Sequence, residues 1–215
     1  MLSIDVLLTF SLSALILSLS PGPSNLYIMA TTLAGGGRAG IKAASGMAIG
    51  SIIYVVLTAL GLGLLIAAAP DLFTAIKVAG SLYLIYLGVK TVMSARAPDL
   101  HTASNQRKTT FRQSIIVELT NPKTALFFIA FLPQFTQPER GDTTQQFILL
   151  GLIYSVIAFS SDTLVVVLSK SIKALLTRSP AWAVRQEQFA GTLLILLGVF
   201  IGADILADHI PALSP

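Results

Sequence analysis

At 215 residues, with 54% hydrophobic and only 11% charged positions, the chain is too apolar and too sparsely charged for an ordinary soluble domain. Cysteine is absent, which excludes disulfides, thiol redox chemistry and thiolate metal sites, and only two histidines occur, at His101 and His209. The net charge of +4 sits in connections between apolar runs, with no face of basic and aromatic residues to read bases, so a membrane partner is expected and a nucleic acid is not.

The first apolar run carries no charge between Asp5 and Arg38, thirty-two residues against the roughly 20 that cross a bilayer. Its start has Asp5 but no Lys or Arg, it exceeds a signal h-region, and Ser18 and Ser20 are followed at once by Pro21, so it reads as a retained span rather than a cleaved signal. In its middle stand Pro21, Gly22 and Pro23. The prolines cannot donate to the carbonyls four residues earlier, which frees those of Leu17 and Leu19, and Gly22 gives the backbone room to bend. A broken helix survives in lipid only where protein or a polar cavity satisfies its backbone. A harmless proline kink is the plainer alternative; Ser24 and Asn25, directly after, weigh against it.

The second run, about residues 41–69, opens on small residues. Gly36, Gly40, Ala44 and Ala48 recur every fourth position, with Gly46 and Gly50 as a separate GxxxG pair. Such stripes let helices approach closely, within one subunit or across a homodimer. The third span, about 72–93, has Lys77 and Lys90 near its ends, where long side chains snorkel to the interface. Residues 96–110 form a polar linker without helical periodicity.

The fourth span, about 111–135, contains a second break, and it matches the first in spacing. Leu119-Thr120-Asn121-Pro122-Lys123-Thr124-Ala125-Leu126-Phe127 echoes Leu19-Ser20-Pro21-Gly22-Pro23-Ser24-Asn25-Leu26-Tyr27. Lys123 falls near mid-membrane, where a lysine costs about 2.5–3.5 kcal/mol on insertion scales. Glu118, five residues earlier, lies well round an unbroken helix from it, so a partner from another helix is expected. The fifth span, about 146–169, places Ser155, Asp162 and Ser169 on one face. Asp162 is either a structural partner of Lys123 or a site for a proton or an ammonium group. The sixth span, about 187–208, follows a basic connection with the single Trp182 and repeats the third: Ala190-Gly191-Thr192-Leu193 and Leu197-Gly198-Val199 echo Ala79-Gly80-Ser81-Leu82 and Leu87-Gly88-Val89. Tyr54 and Tyr154 correspond as well.

Eleven of the fourteen Lys and Arg fall in the connections between spans one and two, three and four, and five and six. By the positive-inside rule these are cytoplasmic and both termini lie outside. Three spans per half is an odd number, so the second half must be inverted. The expected architecture is therefore all-α and integral to the membrane: six transmembrane helices as two inverted three-helix repeats, 1–95 and 111–210, with helices one and four broken at their proline motifs. Breaks near the midplane offer half-helix N-termini to anions and freed carbonyls to cations. An amino acid zwitterion needs both. The candidate substrate-binding residues are Pro21, Gly22, Pro23, Asn25, Asn121, Pro122 and Lys123, with Asp162 for proton coupling or ammonium binding. Catalytic residues, metal ligands and cofactors are not expected.

The Ser-Pro-Gly-Pro motif at 20–23, the glycine-rich entry to span two, the Ala-Gly-Ser-Leu-Tyr-Leu-Ile-Tyr-Leu-Gly-Val-Lys stretch at 79–90 and the Asn-Pro-Lys-Thr-Ala-Leu-Phe-Phe motif at 121–128 together resemble the LysE/RhtB family of bacterial amino acid exporters, over essentially the whole chain. The resemblance implies a multi-pass inner-membrane secondary transporter that exports amino acids or close derivatives, driven by the proton motive force, with the substrate, protons and lipid as its partners. An exporter of metal ions or other small solutes from the same superfamily is the alternative. A membrane enzyme is a weaker one, since one central Asp and one central Lys stand without His or Cys nearby.

Overall fold

In the computed structural model the described residues are 2–20, 22–95 and 111–209. Pro21 and the linker 96–110, with His101, lie outside them. Every regular element among the described residues is helical: α1 (Ile4–Leu19), α2 (Pro23–Ala68), α3 (Pro70–Ser94), α4 (Phe111–Leu119), α5 (Pro122–Leu126), α6 (Thr143–Arg178) and α7 (Pro180–His209). Helix α5 runs on through a π-helical turn, Phe127–Phe131, into a 3-10 turn, Leu132–Phe135. Local chemistry sets the starts: the Ser3 hydroxyl accepts from Val6 N at the head of α1, and Asp142 Oδ1 accepts from Gln145 N at the head of α6.

Helix α2 is not one rod. Gly36 stands at φ 79°, ψ 176°, a left-handed φ that favours glycine. A Cβ added at Gly40 would fall against the Thr32 hydroxyl and the Val166 side chain. Residues eight apart in a straight helix are separated by about 12 Å, so the chain doubles back at Gly36 and α2 is a helical hairpin.

The helices are apolar on their outer faces too. Leu8, Leu12, Leu57, Leu60, Leu82, Val156, Val167 and Leu196 are exposed, as in helices that meet lipid rather than water. Pro23–Leu62 and Thr143–Leu175 are long and apolar enough to cross a membrane. The pair Phe111–Leu119 and Pro122–Phe135, bent by 51°, forms a third candidate span if counted as one, and Ile4–Leu19 and Gln188–Phe200 are shorter apolar helices. Helices α6 and α7 extend beyond their apolar runs: α6 stays helical through Lys170 and Lys173 to Arg178, because lysine ends a lipid-facing surface but not a helix.

Two sets of contacts tie the halves together. The Ser51 hydroxyl donates to Ser155 Oγ at 3.0 Å, and a Cβ on Gly151 would lie 2.7 Å from Val55 Cγ2. Shifting Ser51 and Ser155 by one hundred residues each way gives Gly151 and Val55, so the second contact is the first with its partners exchanged. On α3 and α7, a Cβ on Gly88 would lie 2.5 Å from Gly191 O and one on Gly198 2.7 Å from Ser81 O. Seven residues up α3 correspond to seven residues down α7, so these helices run antiparallel. The Gly46 and Gly50 stripe is taken up inside the subunit, against Phe111, Ser114 and Glu118 of α4. An aromatic core of Phe10, Phe127, Phe128, Phe131 and Tyr154 packs beneath the second break, with the rings of Phe127 and Tyr154 stacked at 3.9 Å.

Candidate functional site

The two breaks face each other. Helix α1 ends when Ser20 N donates to Ile16 O, and the chain resumes as a helix at Pro23. At the second break α4 ends at Leu119 and α5 begins at Pro122, whose fixed φ suits a first helical position. Asn121 is the N-cap: its Oδ1 accepts from Lys123 N at 3.0 Å. That bond fixes the orientation of the amide, and Asn121 Nδ2 donates across to Ser24 Oγ at 2.6 Å.

Backbone carbonyls at the first break are taken by side chains. Asn25 Nδ2 donates to Ser18 O at 3.0 Å and Ser20 O at 3.2 Å, and Lys123 Nζ donates to Ser20 O at 2.8 Å. The sequence points to Leu17 and Leu19 as the carbonyls left by the prolines; Asn25 folds back over the end of α1 and, with Lys123, reaches the carbonyls of Ser18 and Ser20. Gly22 makes room for the lysine: a Cβ there would sit 3.4 Å from Lys123 Cδ and 3.7 Å from Nζ.

Glu118 is the residue that sequence reasoning passed over. It is 5% exposed, and both carboxylate oxygens accept hydroxyl protons, Oε2 from Ser24 at 2.7 Å and Oε1 from Thr124 at 2.8 Å. The helical-wheel argument assumed a continuous helix; the interruption at residues 120–121 brings Thr124 back over Glu118. The signal available was an acid three residues before the second proline motif, inside an otherwise apolar span. The Tyr54 hydroxyl donates to Leu119 O at 2.7 Å, satisfying a carbonyl at the end of α4. Asp162, on α6, is 8% exposed, and among the described residues no hydrogen bond reaches its carboxylate.

These groups line two cavities with a common wall. A polar one of about 30 Å³ is bordered by Ser18, Ser24, Glu118, Asn121 and Asp162, among others. A larger one of about 300 Å³ is mostly apolar, with Leu17, Leu84, Phe127, Phe131 and Leu194 in its walls and Lys90, Thr91 and Ser94 toward the end of α3. Gly22, Lys123 and Tyr154 line both. Among the expected site residues, Gly22, Asn25, Asn121, Lys123 and Asp162 meet at the polar cavity, and Pro23 and Pro122 face the larger one with Gly22 and Lys123. Pro21 lies outside the described residues.

The LysE type translocator family matches residues 15–204. The homoserine/homoserine lactone efflux protein of Salmonella typhimurium is 32% identical over 196 residues, covering 90% of this chain and 94% of its own. An uncharacterized membrane protein of Pseudomonas aeruginosa is 30% identical, covering 93% and 95%. The leucine efflux protein of an Enterobacter species is 32% identical over 154 residues, covering 70% of this chain and 73% of its own. No solved structure matches. A chain of apolar helices, with charged groups gathered at two facing breaks, thus belongs to the LysE type translocator family, a membrane translocator and not an enzyme.

Proposed function

We propose that this protein is a secondary transporter that exports amino acids or close derivatives across the bacterial cytoplasmic membrane, coupled to the proton motive force. The observation that carries the reading is the meeting of both helix breaks, Lys123 and Asp162 beside a chamber of about 300 Å³, the low end of the 300–1,000 Å³ usual for small-ligand sites. Two similar chains bear the names of efflux proteins for homoserine or its lactone and for leucine, whose uncharged side chains suit apolar walls.

The architecture in this reading is six spans in two inverted three-helix repeats, residues 1–95 and 111–210. The exchanged pairs Ser51–Ser155 and Val55–Gly151, and the antiparallel contact of α3 with α7, are what a two-fold axis in the membrane plane requires, and they support it. The Lys and Arg distribution supports cytoplasmic connections at 96–110 and around residues 38 and 178, with both termini outside. The chamber reaches Ser94, beside the first of these connections, which supports entry of substrate from the cytoplasmic side.

Substrate carboxylate would bind at Lys123 Nζ, its side chain in the apolar chamber, its ammonium toward Asp162. Glu118 occupies the anion position between Ser24 and Thr124, which keeps the carboxylate on the chamber side of Lys123. Counterflow in proteoliposomes with labelled homoserine, leucine, threonine and lysine tests the reading. Accumulation of one or more neutral amino acids is expected; intact protein that moves none of them would overturn it.

A further inference from the structure

The polar cavity holds two carboxylates and one ammonium group, and the two acids are not equivalent. Glu118 stands at the end of a directed chain. Lys123 N–H fixes the Asn121 amide, the amide donates to Ser24 Oγ, and the single Ser24 hydroxyl proton therefore goes to Glu118 Oε2. Thr124 occupies the other oxygen. Glu118 ties both breaks together and has no free oxygen to offer.

Asp162 has the opposite surroundings. It is more than nine-tenths buried, faces the cavity and accepts no hydrogen bond among the described residues. On the same cavity the Ser18 hydroxyl oxygen is buried and has no hydrogen-bond partner among the described residues. A buried polar group without a partner is costly, and a buried charge more so. The titratable groups facing the cavity are Glu118 from α4, Lys123 from α5, and Tyr154 and Asp162 from α6. Pairing one acid with Lys123 leaves one negative charge uncompensated. The polar cavity that Asp162 faces, about 30 Å³, has room for a water molecule or an ammonium head group.

We propose that Asp162 is a single shared site at which one proton and the ammonium group of the substrate exclude each other, while Glu118 is a fixed positioning carboxylate that takes no part in the exchange. The proposal rests on the exporter reading and specifies how it is coupled. The balanced step is an exchange: protonated Asp162 plus a substrate ammonium gives the Asp162 carboxylate paired with that ammonium, and one proton leaves to water. No bond is made to carbon and no electron moves. Such competition makes the transporter an antiporter, since each transit between the two membrane faces carries the amino acid or the proton but not both, and a full cycle exchanges one for the other.

Purified protein in weak buffer with a pH-indicator dye tests this, with homoserine and leucine as probes, binding being followed separately by calorimetry. Wild type is expected to release about one proton per amino acid bound, and its Kd to rise up to tenfold per pH unit on acidification. Asp162→Asn is expected to bind without release or pH dependence, and Asp162→Glu to recover both. Glu118→Gln is expected to bind more weakly yet still release a proton; Ser24→Ala, which loosens Glu118 without removing it, reports the same point if that variant does not fold. Binding without release in wild type, or release lost in Glu118→Gln and Ser24→Ala but kept in Asp162→Asn, would overturn the inference alone. Absence of any amino acid binding to wild type would overturn the exporter reading and the inference with it.

Discussion

The two breaks share a spacing and divide the chemistry. The first is chiefly a source of acceptors: its carbonyls at Ser18 and Ser20 point to side chains, Asn25 is spent on them, and Ser24 relays the Asn121 amide to Glu118. The second supplies charge and direction, through Lys123, Asn121 and the nearby Glu118, where the first repeat has only Pro23, Pro21 and Ser18 at the matching positions. One break is thus polar chiefly by its main chain and the other by its side chains at residues 118, 121 and 123. In the proposed reading, a zwitterion with unlike ends needs that inequality.

Lys123→Ala removes the only cation at the polar cavity among the described residues and exposes the inequality most sharply. Breaking a buried charge constellation costs about 3–5 kcal/mol, so a large fall in thermal stability in detergent is expected, with counterflow reduced about a hundredfold or more. Unchanged counterflow would mean that the second break contributes no charge to transport. Asn121→Ala should come next, losing a helix cap and the donor to Ser24, about 1–3 kcal/mol together. The matching position in the first motif is Pro21, a residue without a side-chain acceptor.

Much of this inequality was legible in the sequence, and the exceptions have physical causes. Paired breaks, a mid-span lysine and a mid-span aspartate are patterns in one dimension, and they can be read without knowing how helices pack. Glu118 was hidden because its partners, Ser24 and Thr124, depend on where a helix stops, and a wheel drawn through residues 120–121 sends the acid the wrong way. The chamber walls contributed by Leu84, Lys90 and Leu194 depend on the rotation of α3 and α7, which no periodicity reveals when a helix is apolar all round. Gly36 reads in the sequence as the first member of a helical packing stripe; its place at the reversal shows only in its φ of 79° and in the approach of Gly40 to Thr32.

Smaller effects probe the first break and the frame. Gly50→Leu puts a side chain where even a Cβ would lie 2.8 Å from Glu118 Cβ; overpacking of this kind costs about 1–3 kcal/mol and should displace α4 enough to lower transport several-fold. Asn25→Ala gives up two bonds to carbonyls that Lys123 and water can partly satisfy, about 1 kcal/mol. If Asn25→Ala proves more damaging than Asn121→Ala in stability and counterflow, the division between an acceptor break and a charged break is wrong.

Because the chain has no native cysteine, single cysteines report cleanly on the central claim, that both breaks contact one substrate. Pro23→Cys and Pro122→Cys place thiols on the two sides of the larger chamber, and Glu139→Cys, in the exposed polar turn, supplies a control. The measurement is the rate of maleimide labelling with and without a saturating transported amino acid. Protection at both residues 23 and 122, and none at 139, is the predicted result; protection at only one break, or at neither, in variants that still transport, would contradict it.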